Sequence, residues 1–75
     1  MSFELRPTLD LIQIAAAGGG FRLDEKLRPT VDLIQIAAAV AIKGATVTFA
    51  GLNLRPTLEL IKIAAAGKGY VILEG

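Results

Sequence analysis

The chain has 75 residues, 53% of them hydrophobic, with a mean hydropathy of +0.59 and no cysteine or histidine. That composition excludes disulfides, thiolate or imidazole metal sites, and catalysis built on a cysteine or a histidine. Eight Lys and Arg against seven Asp and Glu give a net charge of +1 with no basic run, which argues against nucleic acid or an anionic membrane surface as a partner.

In chain order, Ser2 to Leu5 reads as a first strand, with Phe3 and Leu5 alternating with Ser2 and Glu4. One segment is then written three times: LRPTLDLIQIAAA from Leu5 to Ala17, LRPTVDLIQIAAA from Leu27 to Ala39, and LRPTLELIKIAAA from Leu54 to Ala66. The copies differ only at Val31, Glu59 and Lys62 and start 22 and then 27 residues apart. Identity this high is that of a recent duplication or of a designed or consensus array. It divides the single domain, 1–75, into units 5–26, 27–53 and 54–75 behind the strand 2–5.

Each unit reads as a helix followed by a strand. Pro7, Pro29 and Pro56 suit a first helical position, where the missing N–H would be unpaired anyway. Gly18, Gly44 and Gly67 are placed to take the left-handed C-cap conformation. Phe21–Asp24, Ala45–Ala50 and Tyr70–Glu74 then read as strands. Connections long enough for a helix make consecutive strands parallel and the crossovers right-handed.

The strands alternate: Phe21 and Leu23 against Arg22 and Asp24, Val47 and Phe49 against Thr46 and Thr48. Such strands have one buried face and one open face, unlike the continuously apolar strands of a doubly wound sheet. The expected fold is α/β, a two-layer right-handed solenoid of three helix-strand repeats with four parallel strands and all helices on one face. On the helical wheel, Leu9, Ile12 and Ala16 form a stripe able to face the sheet, flanked by Leu11 and Ala15 on one side and Ile14 on the other. A helix so apolar needs lateral neighbours as well as a sheet.

In the third unit, Val47-x-Phe49 followed by Leu52-Asn53-Leu54 resembles the LxL…NxL portion of the leucine-rich repeat, in those members that pair a short parallel strand with a helix. Asn53 stands one residue late for that pattern, and the other two units lack the asparagine. The resemblance implies a partner-binding sheet face, here Glu4, Arg22, Asp24, Thr46, Thr48 and Tyr70, with Ile72 and Glu74 beside them.

Two further features carry candidate roles. Arg6, Arg28 and Arg55 recur before the prolines, either as an anion-binding ladder at the helix N-termini or as partners of Asp10, Asp32 and Glu59 four residues on. The glycine clusters 18–20 and 67–69 follow helices and open strands, the reverse of a phosphate loop, and serve as caps. No cofactor and no enzymatic activity are expected, because the acids at 10, 32 and 59 are repeat-equivalent and form no unique constellation. The longest uncharged apolar stretch, Leu33 to Ile42, is ten residues, short of the roughly 20 of a membrane span. With no cationic leader, the expected compartment is the cytoplasm.

Size bears on association. Folding would bury about 7,000 Å², worth roughly 105 kcal/mol at about 25 cal/mol/Å² if about 60% is apolar, against an ordering cost of roughly 110 kcal/mol. A monomer is marginal on that balance. The leading expectation is a non-catalytic repeat protein whose partner is itself, joined into an oligomer, ring or filament through edge strands and helix flanks: Phe3, Leu5, Leu11, Ile14, Leu60, Ile63, Tyr70, Val71, Ile72 and Leu73. The alternative is a small protein- or peptide-binding module using the polar sheet face, or a piece of a longer array.

Overall fold

Each helix begins where a proline has set the chain in an extended turn. In the computed structural model, which describes residues 5–24 and 28–75, helices α1 (Thr8–Ala16), α2 (Thr30–Lys43) and α3 (Thr57–Gly67) alternate with strands β1 (Phe21–Asp24), β2 (Val47–Ala50) and β3 (Val71–Leu73). Pro7, Pro29 and Pro56 have φ of −61°, −59° and −60° and ψ of 151°, 146° and 145°. The ring fixes the first angle, and the extended second angle makes each proline the N-cap rather than the first helical residue. Threonine therefore opens every helix, one residue later than expected. The proline N-caps make no side-chain cap bond.

The helices end by two different devices. Gly18 and Gly44 take positive φ, 99° and 73°, as the sequence predicts for the ends of α1 and α2. At the end of α3 the left-handed residue is Lys68, with φ 51°, and Gly67 stays helical and buried. This corrects the expected cap at Gly67. A Cβ there would collide with the side chain of Val71, so the glycine lets α3 approach β3 closely.

The three strands form one parallel sheet in chain order, β1-β2-β3. Phe21, Arg22 and Leu23 stand opposite Val47, Thr48 and Phe49, which stand opposite Val71, Ile72 and Leu73. Strands β2 and β3 are shorter than expected, omitting Ala45, Thr46, Tyr70 and Glu74. Backbone bonds still extend the pairing, from Val47 N to Tyr70 O (3.1 Å) and from Glu74 N to Phe49 O (2.8 Å). Of the expected strand at 2–5, residues 2–4 lie outside the described residues. Leu5 is in a turn and 97% exposed, not in a strand.

One sheet face carries Phe21, Leu23, Val47, Phe49, Val71 and Leu73 into the hydrophobic core, where they meet Leu11, Leu33, Ile36, Val40 and Ile63 from the helices. Arg22, Asp24 and Ile72 on the other face are exposed and Thr48 is half-buried. The helices lie side by side in chain order, α1 on α2 and α2 on α3. Their roll differs from the expected one. Leu11, Ala15, Leu33 and Ala37 point inward, whereas Leu9, Val31 and Leu58 are 63%, 58% and 63% exposed, with Ala16, Ala38 and Ala65 also outside. The reason is that apolar residues nearly encircle each helix, so hydrophobicity alone leaves the roll undecided; the observed roll is the one that lets Asp32 accept a hydrogen bond from Thr8 and Glu59 one from Thr30.

A glycine at the entry to β1 limits how the first two units can meet. A Cβ on Gly20 would overlap the carbonyl oxygen of Thr46, a backbone atom held by the neighbouring strand. Gly20→Ala is expected to destabilise the fold by about 1–3 kcal/mol in chemical denaturation, the usual cost of overpacking a fixed contact.

Candidate functional site

The repeated Arg-Pro-Thr-x-Asp/Glu segment is where the chain concentrates its polar chemistry. Because proline takes the N-cap and threonine the next position, the threonine hydroxyl faces along the helix layer, where the next unit can reach it. Arg28 Nη1 donates to Thr8 Oγ1 at 2.7 Å, and that hydroxyl donates to Asp32 Oδ2 at 2.9 Å. Arg28 Nη2 also donates to the carbonyl of Arg6 at 3.1 Å. The next step repeats every part: Arg55 Nη1 to Thr30 Oγ1 at 2.8 Å, Thr30 Oγ1 to Glu59 Oε1 at 2.6 Å, and Arg55 Nη2 to the Arg28 carbonyl at 2.5 Å.

Each clamp therefore joins consecutive units. A charged donor and a charged acceptor close on one hydroxyl, so both ions keep a hydrogen-bond partner in a half-buried layer. The sequence expectation paired arginine with acid within a unit. The long-range partner was missed because the repeat that presents the threonine carries the same letters as the repeat that grips it, and only the three-dimensional step tells them apart. In the ladder reading, Arg28 and Arg55 were anion sites; here their guanidinium groups hold protein acceptors. Arg6 is exposed.

Comparing equivalent positions shows which helix flank meets which neighbour. Leu11 and Leu33 are buried but Leu60 is only half-buried; Ala15 and Ala37 are buried but Ala64 is exposed. Ile12 and Ile34 pack against the core while Ile61 is 57% exposed, and Thr8 and Thr30 are half-buried while Thr57 is exposed. All four are positions that α1 and α2 cover with the following helix. The opposite flank behaves conversely: Ile36 and Ile63 are fully buried and Ile14 is half-buried. Leu11 and Ile63, expected at an outer interface, are thus internal contacts, which corrects that expectation. Ile14 is half-buried, and Leu60, also half-buried, packs against the edge of the core.

The open sheet face carries an ion pair between Arg22 and Glu74 (2.8 Å), a contact that passes over the middle strand. Both groups are well exposed, so its worth is small, about 0–1 kcal/mol. Glu4, the expected neighbour of Arg22, lies outside the described residues, as does Phe3. Asp24 and Thr46 are exposed at either end of this face. Tyr70 is 40% exposed and its ring lies over Gly44, where a side chain would touch it. Val71 and Leu73 are half-buried, and Ile72 points outward at 49% exposure.

Among the described residues no group of three or more acids could hold a metal ion, and no helix is long and apolar enough to cross a membrane. A cleft bounded by Gly51, Asn53, Leu54, Arg55 and Gly75 contains one charged side chain, that of Arg55. The chain matches no known protein family, no curated protein and no solved structure.

The clamp makes a paired prediction. Thr30→Val keeps the shape but removes the hydroxyl that Arg55 and Glu59 share, and is expected to cost about 1–3 kcal/mol of unfolding free energy. Thr57→Val, at the exposed equivalent, is expected to change the stability of the single chain by no more than about 0.5 kcal/mol. Equal effects at the two positions, measured in urea at low protein concentration, would refute the assignment.

Proposed function

We propose that this chain is a non-catalytic repeat protein, a right-handed two-layer α/β solenoid with its helices on one face, whose partner is another copy of itself. The observation that carries the reading is the outer flank of α3. It presents Leu60, Ile61 and Ala64 at the positions which α1 and α2 bury against the next helix. The surface is already known to the chain as an interface, since it is used twice internally. On the same side, β3 is an edge strand among the described residues, and such an edge can take a further parallel strand.

The chemistry of the remaining surface supports a structural role over catalysis. Asp10, Asp32 and Glu59 are equivalent by repeat, and Asp32 in α2 and Glu59 in α3 are engaged in holding units together. The ion pair of the sheet face, Arg22 with Glu74, satisfies its own charges across the strands. An apolar flank next to an open strand edge favours a second layer-forming unit, because it buries hydrophobic area and pairs backbone groups in one contact.

Sedimentation velocity from low micromolar to near-millimolar protein tests this directly. The sedimentation coefficient is expected to rise with concentration. Ile61→Glu is expected to weaken the association roughly tenfold or more, since it places a charge in the buried centre of the contact, while leaving the melting temperature of the dilute chain nearly unchanged. A folded monomer across the whole range would overturn the reading.

A further inference from the structure

The two internal steps specify a direction as well as a surface. We infer that copies dock head to tail, with Arg6 and Asp10 of a second copy closing on the Thr57 hydroxyl and the Arg55 carbonyl of the first; this rests on the self-association proposed above. Three observations lead to it. Arg28 with Asp32 grips Thr8 and the Arg6 carbonyl, and Arg55 with Glu59 grips Thr30 and the Arg28 carbonyl. Thr57 occupies the next place in that series and is exposed, with no hydrogen bond to its hydroxyl among the described residues. Arg6 and Asp10 are the members of the Arg-Pro-Thr-x-acid series at the α1 end of the described helix layer, Arg6 being exposed and having a contact within its own chain as well.

The apolar parts agree with the polar ones. Ile36 and Ile63 are fully buried on the flank that faces the preceding helix, while Ile14 is half-buried. Repeating the α2-to-α3 step places Ile14 of the second copy against Leu60, Ile61 and Ala64 of the first. The interface continues one that the molecule already makes twice, with the same residue types on both sides.

A two-fold contact between like edges fails on hydrogen bonds. A two-fold contact that keeps both sheets on one side runs α3 antiparallel to its copy, so Thr57 meets the C-terminal end of the partner's α3, where IAAAG carries no arginine or acid. Burying the threonine hydroxyls without partners costs stability that the head-to-tail arrangement does not lose. The contact is heterologous, so growth continues until rotation closes a ring or the supply of copies ends.

Two edge-blocked variants separate the geometries. Arg6→Glu with Asp10→Lys blocks the leading edge, and Thr57→Val with Ile61→Glu blocks the trailing edge; circular dichroism and melting establish that each is folded. Head-to-tail docking predicts that each variant alone is a monomer and that an equimolar mixture gives a 1:1 heterodimer that grows no further. Homodimers of either variant alone, with no heterodimer on mixing, would overturn the inference and leave self-association standing. A wild-type chain that is monomeric at every concentration would overturn both. Thr57→Val alone changes one exposed hydroxyl and is the milder probe: it is expected to weaken wild-type assembly roughly tenfold, and an unchanged association would contradict the clamp.

Discussion

A threonine hydroxyl gripped from the next unit by an arginine and an acid, a contact made at Thr8 and again at Thr30, sets the spacing on which the rest of this molecule depends. The grip needs three local conditions that the sequence supplies together. Proline at the N-cap turns the threonine away from its usual work of capping its own helix. Placing the arginine two residues before the threonine, and the acid two after it, lets both reach the same atom of the preceding unit. The arginine's second amino group then binds the backbone of that unit, which fixes position along the helix axis as well as distance from it. Once that register is set, Leu11 and Ala15 must lie against the core and Leu9 must lie outside.

The helix roll shows why hydrophobic pattern alone stops short. Leu, Ile and Ala occupy so many of the positions from 9 to 17 that several rolls bury similar area, and the wheel selects Leu9, Ile12 and Ala16 as readily as Leu11 and Ala15. A polar contact of modest strength decides among nearly equal apolar alternatives. The consequence is a stripe of Leu9, Val31 and Leu58 on the outer surface of the helix layer. The high hydropathy of the chain is therefore spread over that outer stripe, the flank of α3 and a well-filled core.

Much of the fold is legible in the sequence because its punctuation is strong. Proline and glycine bracket three helices, and the alternation of Phe21, Leu23, Val47 and Phe49 announces strands with one open face. What is illegible has a common cause. The cap at Lys68 instead of Gly67 depends on how near Val71 comes, the Arg22–Glu74 pair depends on the register of three strands, and the partner of Arg28 depends on which threonine faces it. Each is a long-range distance, and a repeated sequence hides such distances by offering the same residue at every step. The repeat leaves the helix flanks undistinguished, and only burial at equivalent positions tells half-buried Leu60 and exposed Ile61 from fully buried Ile63.

The clamp's place as the organising contact is tested most directly by a double-mutant cycle across it. Wild type, Thr30→Val, Arg55→Met and the double variant are unfolded in urea at a concentration where the chain is dispersed. If the two side chains act as one clamp, removing the second costs less once the first is gone, and the coupling is about 1 kcal/mol or more. Additivity to within about 0.3 kcal/mol would mean that the units hold their register without it, and would contradict the account.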